Sequence, residues 1–187
     1  MTEQVLYEQR IEIPSECQVS LEDKKVTVNG PKGTLERTFP EPQTNIQMVG
    51  NEIVVTTHIN RKRSRALVGT VIAHVRNMFL GVSLGYEYEM KIVYSHFPIT
   101  VEVKDKTVII KNFIGERGIR TARLIGDVQV KITEDEVFIS GINIEHVSQS
   151  AANIQQACRI RDKDRRIFMD GIYVIRKTKG KETKSIV

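Results

Sequence analysis

Residues 26–33 read VTVNGPKG, and residues 108–115, 82 positions further on, read VIIKNFIG. Both are strand-like runs that end in glycine, the pattern of a strand leading into a turn. Two more pairs follow in the same order, each 84 positions apart: NEIVVTT (51–57) with DEVFISG (135–141), and SRALVGTVIAHV (64–75) with SQSAANIQQACR (148–159). The chain therefore contains one domain twice, and this duplication sets the domain count independently of any local pattern.

A fourth pair indicates where the two copies differ. NMFLGV (77–82) resembles IFMDGI (167–172) at a spacing of 90, so the second copy is expected to hold about six additional residues. They fall within RIRDKDRR (159–166), the most basic stretch of the chain. We expect a duplicated scaffold to acquire a new binding role in the copy that has gained a segment.

Each copy combines short alternating runs with one helical stripe, and turn residues separate the runs. The two stripes have helical spacing and consist of Val68, Val71, Ile72, Val75 and Phe79 in the first copy and of Val147, Ala151, Ile154 and Cys158 in the second. The predicted fold class is α+β, a tandem duplication of a small domain with an antiparallel or mixed sheet packed on one helix. The predicted divisions are a first domain over 1–84, a second over 85–178 and a flexible basic tail over 179–187.

Composition indicates a folded protein with a basic second half. The chain has 187 residues, 40% hydrophobic and 27% charged, as in ordinary globular proteins. The formal charge of +5 is unevenly distributed: residues 1–90 hold 10 basic and 11 acidic side chains, whereas residues 91–187 hold 18 and 12. Residues 159–187 alone hold 10 and 4, so a polyanionic partner is expected to bind there.

Other chemistries have little support in the pattern. Cys17 and Cys158 are far apart and form no CxxC pair, and the four histidines lack metal-ligand spacing, so no metal or cofactor is predicted. Since no Ser, His and acid set is apparent, no catalytic residue is assigned. The amino terminus has no apolar run of signal-peptide length, and no stretch approaches the roughly 20 apolar residues of a membrane span. We therefore expect a soluble, cytoplasmic protein without a small-molecule substrate.

The main candidate site lies in RIRDKDRRIFMDGIYVIRK (159–177). Arginine forks match phosphate oxygens, so these cations are expected to contact an RNA backbone, while Asp162 and Asp164 orient them; a solvated charged turn is the alternative. The apolar run 167–169 is expected to dock on the sheet and hold the basic segment in a fixed pose, with Phe168 as a buried aromatic. The predicted RNA-binding residues are Arg159, Arg161, Lys163, Arg165, Arg166, Arg176, Lys177, Lys179 and Lys181.

Two secondary sites have weaker support as phosphate contacts. One lies where the first helix begins and consists of Arg61, Lys62, Arg63 and Arg65. An external phosphate would offset the repulsion between these cations and the positive end of the helix dipole. The alternative is a helix start at which the four charges are solvated by water. The loop at 30–33 lacks the GxxxxGK[ST] spacing of a phosphate-binding loop, so we predict a hairpin turn with one candidate phosphate contact at Lys32.

The residues at 156–174, QACRIRDKDRRIFMDGIYV, resemble the carboxy-terminal signature of the family of ribosomal large-subunit protein six, which is protein nine of the eukaryotic large subunit and universal protein six. VTVNGPKGTLER (26–37) and the stretch from 69 to 98 support the resemblance, which covers about residues 9–178 and favours the eukaryotic and archaeal branch over the bacterial one. The structural residues of the signature are Gln156, Phe168, Asp170, Gly171 and Tyr173.

The resemblance implies a duplicated α+β fold and a structural, non-enzymatic role in the large ribosomal subunit. It further implies that the second domain binds large-subunit rRNA at the helix bearing the sarcin–ricin loop, close to the stalk base where translational GTPases dock. Expected partners are this rRNA and the neighbouring large-subunit and stalk-base proteins. The expected location is the cytosolic ribosome, with passage through the nucleus in a eukaryote. A non-ribosomal RNA-binding regulator and an enzyme acting on RNA are the competing classes.

Overall fold

The computed structural model describes residues 7–59, 61–161, 163–164, 166–180 and 182–186. The chain divides into two compact units, Met1–Leu84 and Gly85–Val187. The division falls where the repeat places the linker, at Leu84 and Gly85. Each unit has its own strands and its own helix.

The first unit contains six strands followed by one long helix. They are β1 (Tyr7–Glu12), β2 (Gln18–Glu22), β3 (Lys25–Gly30), β4 (Gly33–Thr38), β5 (Asn45–Val49), β6 (Glu52–Thr57) and α1 (Lys62–Ser83). The strands form two antiparallel sheets in the orders β2-β3-β4 and β1-β6-β5. Helix α1 packs against strands of both sheets, so one helix covers the core of the unit.

The second unit repeats this plan and extends it. Its elements are β7 (Tyr86–Val93), β8 (Thr100–Lys104), β9 (Thr107–Lys111), a short 3-10 turn (Phe113–Gly115), β10 (Arg120–Arg123), β11 (Gln129–Ile132), β12 (Glu136–Gly141), α2 (Ile144–Ala157), β13 (Gly171–Lys179) and β14 (Glu182–Ser185). The sheets run β10-β9-β8 and β11-β12-β7-β13-β14, and every strand pair among the described residues is antiparallel.

The shared strand order confirms the duplication and the α+β class. β8, β9 and β10 correspond to β2, β3 and β4, while β7, β12 and β11 correspond to β1, β6 and β5. Strands β6 and β12 begin 84 residues apart, at Glu52 and Glu136, as the repeat predicts. One feature differs from expectation: each unit divides its strands between two sheets instead of forming one.

The predicted apolar stripes are buried on both helices. On α1, Val68 and Val75 are fully buried, and on α2 so are Val147 and Ile154. Helix α2 begins at the N-cap Asn143, whose side-chain oxygen accepts a hydrogen bond from the Glu145 N–H at 2.9 Å.

Helix α1 requires a correction to the statement that no stretch is apolar enough for a membrane span. Its 22 residues include an 18-residue window with a mean hydropathy of 1.3, so by length and composition it could cross a membrane. The same helix supplies Val71, Ile72 and Phe79 to the core of the first unit, which accounts for its apolar character without a membrane.

The proposed six-residue insertion is wrong as a description of the structure. Residues 77–82 are helical in α1, whereas residues 167–172 lie in a loop and at the start of β13. The helix alignment at a spacing of 84 also fails, since it pairs the buried Val71 and Val75 with the exposed Gln155 and Arg159. The second copy instead has a shorter helix, and the chain after it builds a loop and a hairpin.

The predicted flexible tail is also different in the structure. β13 continues to Lys179, and Glu182–Ser185 pair with Arg176–Lys179 as β14, which forms the edge of the five-stranded sheet. This hairpin escapes detection because lysines and threonines replace the apolar residues of a half-buried strand; backbone pairing holds it instead. Lys181 lies outside the described residues.

Arg120 holds the carboxyl end of α2. Its Nη1 donates to the carbonyl oxygens of Ala157 at 2.9 Å and Arg159 at 3.1 Å. Its Nε and Nη2 donate to the two carboxylate oxygens of Glu116 at 2.9 and 2.6 Å, and its guanidinium lies 4.2 Å from the centre of the Phe113 ring. A cation at this position satisfies the last helix carbonyls and complements the negative end of the helix dipole.

Cys158 lies directly at this helix end, so the reactivity of its thiol indicates whether the helix end is covered. It is 3% exposed, and burial raises the pKa of its thiol to about 11, against smaller lowering effects from the Arg120 charge and a backbone hydrogen bond with Ile172. The thiolate is the reactive form of cysteine, so Cys158 is protected both by its cover and by its protonation.

We predict that Arg120→Met exposes the end of α2. The loss of charge-assisted hydrogen bonds is expected to destabilise the fold by on the order of 2 kcal/mol. Alkylation of Cys158 by iodoacetamide at pH 8, followed by peptide mass spectrometry, should become several-fold faster. Cys17, buried in the first unit, is the internal control and should keep its rate. Equal acceleration at both cysteines would mean global unfolding and would contradict a local role for Arg120.

Candidate nucleic-acid interface

The basic loop, residues 159–170, connects α2 to β13 and is anchored at both ends. Ile160 is 6% exposed, and Asp170 is 4% exposed although it is ionisable. The Asp170 Oδ1 accepts the backbone N–H of Ser95 at 2.7 Å, which ties the end of the basic loop to the chain after β7. Ile172, the second residue of β13, is fully buried. These anchors limit the positions that the loop can adopt.

Within the basic loop, Asp164 organises a turn. Its Oδ1 accepts the backbone N–H of Arg166 at 2.9 Å, and its carbonyl oxygen accepts the N–H groups of Ile167 and Phe168 at 3.1 and 2.9 Å. An aspartate that bonds the backbone two residues ahead is typical of a tight turn. Asp164 therefore orients the backbone of the loop, where the sequence analysis expected it to orient arginine side chains. Asp162 lies outside the described residues.

The apolar run does not dock on the sheet, which corrects the sequence-based expectation. Ile167 is 70% exposed and Met169 is 60% exposed, while Phe168 is only half-buried beneath the Lys163 ammonium, 4.9 Å from its ring centre. The fixed ends of the loop at Ile160 and Asp170 provide the anchoring that we had assigned to this run. The loss of Phe168 should therefore cost less than the truncation of a fully buried aromatic.

A half-open cleft of about 320 Å³ lies beside the basic loop. Its walls come from the end of α2, the loop and the start of β13: Gln155, Gln156, Cys158, Arg159, Ile160, Phe168, Met169 and Tyr173. The Tyr173 ring folds back over Gly171, where a Cβ would lie 2.7 Å from ring atoms, so a larger residue there would displace the ring. The Tyr173 hydroxyl donates to the carbonyl oxygens of Met169 and Asp170, both at 3.3 Å. The signature residues thus shape the loop and this cleft.

The seven predicted RNA-binding residues that the structure describes fall into two groups. Arg159, Arg161, Lys163 and Arg166 are exposed together on the basic loop. The strand cluster, Arg176, Lys177 and Lys179, lies further along β13, and Lys179 is about 26 Å from Gly171 at 3.3 Å per residue. Arg165 and Lys181 lie outside the described residues.

Two members of the strand cluster have partners within the sheet. The Arg176 Nη1 lies 3.0 Å from a carboxylate oxygen of Glu89 on β7, and the Lys177 ammonium lies 5.2 Å from the ring centre of Tyr88. Both contacts are cross-strand pairs, which stabilise a sheet. The strand cluster is consequently less available to an external anion than the basic loop.

Two residues of the secondary sites, Arg65 and Lys32, have contacts within the first unit. Arg61, Lys62 and Arg63 are exposed at the start of α1, while the Arg65 guanidinium stacks 5.5 Å from the ring centre of Tyr7. The loop at 30–33 is the β3–β4 hairpin turn, as predicted. In that turn the Lys32 N–H donates to the Val82 carbonyl at 2.8 Å and the Lys32 ammonium donates to the Leu84 carbonyl, so Lys32 caps the end of α1.

Two neighbouring loops that the sequence analysis did not single out lie next to the basic loop. The aromatic loop, residues 94–98, is held by Ser95 against Asp170 and by the Asn112 side chain, which donates to the Pro98 carbonyl at 3.1 Å. The Phe97 ring packs over Gly115, which has φ of 74° and no room for a side chain.

The connection from β9 to β10, residues 112–119, reaches the basic loop through Glu116. The hydrogen bond from Arg120 lowers the pKa of Glu116 and outweighs the opposing effect of burial, and the charges of Arg120 and Lys163 lower it further. Lys163 thus lies close enough to interact with this connection. The glycines and the charged pair in NFIGERGIR marked a turn-rich connection, but no local pattern showed that it would meet residues some 40 positions away.

Comparison with known proteins supports the family resemblance. The family model described as Ribosomal protein L6 matches residues 13–85 and 97–171, once in each unit. The chain is 47% identical over 169 residues to Large ribosomal subunit protein uL6 of Methanobrevibacter smithii, covering 90% of this chain and 95% of that protein. It is 49% identical over 173 residues to uL6 of Staphylothermus marinus, covering 90% and 93%.

A third relative, uL6 of Ignicoccus hospitalis, is 48% identical over 170 residues, covering 88% of this chain and 91% of its own length. All three relatives are archaeal. Because the family match spans both units and the identity extends over nearly the whole chain, the chain belongs to the ribosomal protein L6 family, a family of structural proteins and not of enzymes.

Proposed function

We propose that this protein is a structural constituent of the large ribosomal subunit and binds large-subunit rRNA mainly through its second unit. The main support for this proposal is the basic loop, which is anchored at both ends and exposes four cations, Arg159, Arg161, Lys163 and Arg166. A loop that is held at both ends loses less conformational entropy on binding than one that is not. The carboxylate of Asp164 accepts the N–H of Arg166 within the loop, and that of Asp170 accepts the N–H of Ser95 on the neighbouring loop, so both acidic side chains have backbone partners while the four cations are exposed.

The family resemblance supports a finer placement. On that basis the proposed contact is the helix bearing the sarcin–ricin loop, close to the stalk base, with the neighbouring large-subunit and stalk-base proteins as further proposed partners. The protein would then reside on the cytosolic ribosome. The relatives named above are archaeal and give no support to passage through a nucleus. The strand cluster, Lys32 and the cations at the start of α1 are proposed as secondary contacts.

We predict that replacing Arg161, Lys163 and Arg166 together by Gln weakens binding to a large-subunit rRNA fragment. Each neutralised phosphate releases counterions, so the slope of log K against log salt should fall in magnitude by about 2 to 3. The melting temperature should change little because exposed charges contribute little to folding. Salt titration by fluorescence anisotropy and a thermal melt measure the two effects.

The matched control replaces Arg61, Lys62 and Arg63 by Gln, which removes the same number of exposed charges from the start of α1. This variant should keep most of the affinity and slope. If both triple variants lose the same amount, the RNA contact is not concentrated in the second unit. If the unsubstituted protein shows no affinity for rRNA, the proposed function is wrong.

Substitutions of Asp170 test whether rRNA binding depends on the position of the basic loop. Asp170→Ala removes the acceptor of the Ser95 N–H and should weaken rRNA binding, while the salt slope keeps its magnitude because no cation is lost. Asp170→Asn retains an acceptor oxygen and should bind nearly as the parent does. Tighter binding by Asp170→Ala would show that this carboxylate merely repels RNA and does not position the loop.

A further inference from the structure

Exposed apolar side chains gather around the basic loop at one end of the second unit. Tyr94 is 42% exposed and Phe97 is 46% exposed on the aromatic loop, Ile119 is 61% exposed before β10, and Ile167 and Met169 are exposed on the basic loop itself. Contiguous exposed apolar surface of this kind marks an interaction site, since soluble proteins otherwise cover it.

Contacts within the second unit bring the two loops together. The bond between the Ser95 N–H and Asp170 joins the aromatic loop to the basic loop. Phe97 over Gly115, and the Asn112 bond to the Pro98 carbonyl, join the aromatic loop to the β9–β10 connection. That connection in turn meets the basic loop through Arg120 at the Arg159 carbonyl. The aromatic loop and the basic loop are therefore neighbours at one end of the second unit.

The charge of this surface indicates which class of molecule binds to it. Arg117 is exposed on the β9–β10 connection, and Arg161, Lys163 and Arg166 are exposed on the basic loop, whereas Glu116 is engaged by Arg120 in a two-pronged ion pair. A polyanion with flat apolar faces complements such a surface. RNA with unpaired bases has both properties, because its phosphates meet the cations while its exposed bases stack on aromatic rings.

We propose that Tyr94 and Phe97 form a stacking platform for unpaired nucleotides, and that the basic loop holds the phosphates on either side of them. This inference rests on the proposed function and adds to it a preference for looped over fully paired RNA. The backbone contacts supply affinity without distinguishing the two forms, since both carry phosphates. The stacking contacts distinguish them, because the bases of a duplex are already stacked and paired.

The test uses the full chain with two probes. One is an RNA hairpin with an unpaired purine-rich loop containing 2-aminopurine, and the other is a blunt duplex with the same stem sequence. The parent protein should bind the hairpin more tightly and should quench the 2-aminopurine fluorescence as the base stacks. Phe97→Leu and Tyr94→Leu keep an apolar side chain but remove the ring, and each should weaken hairpin binding about tenfold.

Both variants should leave duplex binding and the salt slope unchanged. Two independent positions guard against a folding defect, because Phe97 also packs on Gly115, and a thermal melt checks each variant. Met48→Ala is the control: it removes a half-exposed apolar side chain from the first unit and should change neither probe.

The outcomes separate the two levels of the proposal. If the parent binds the hairpin and the duplex equally, or if the ring variants weaken both probes alike, the stacking platform is wrong while rRNA binding stands. If the ring variants change nothing, the rings do not contact RNA and the inference is also wrong. If the parent binds neither RNA, the proposed function itself fails.

Discussion

In each unit a cation bonds the carbonyl groups at the end of the helix, and the rest of the unit depends on this contact. In the second unit Arg120 bonds the carbonyls of Ala157 and Arg159 and holds Glu116. In the first unit Lys32 bonds the carbonyls of Val82 and Leu84 through its backbone and its ammonium. Both cations lie in or just after the connection between the second and third strands of the same sheet. The duplicated domain has thus kept one electrostatic solution for closing the helix onto its sheet.

The two copies differ in where this cation meets the helix. Lys32 sits in a short hairpin turn and caps a helix of 22 residues, whereas Arg120 follows a longer connection and caps one of 14. The earlier stop in the second copy leaves the chain free after Cys158 to form the basic loop and β13. A longer connection also supplies Glu116 and Gly115, through which the aromatic loop is held. The surface proposed to bind RNA therefore arises from the position of the cap and not from an inserted charge cluster.

Local periodicity was enough to predict the class and the core stripes, and repeated segments predicted the duplication. β3 and β12 alternate clearly, and Val68, Val75 and Val147 lie on faces set by a 3.6-residue period. Strands β5, β10 and β14 could not be predicted in this way, because most of their side chains are exposed and their pairing leaves no alternation to detect. The alignment of residues 77–82 with 167–172 failed for a related reason. Similar apolar residues belong to the buried face of a helix in the first copy but to a partly exposed loop and strand start in the second.

The candidate site was predictable in composition but not in arrangement. Charge counting located the basic loop, since the excess of Lys and Arg is visible without a fold. It could not separate Arg161 on that loop from Arg176, whose guanidinium pairs with Glu89 across the sheet. Nor could it join Ser95 to Asp170, which lie 75 residues apart and meet only because β7 and β13 are neighbours. Contacts between distant segments decide which cations remain outward and which rings lie beside them, and these contacts depend on the strand order and not on any single motif.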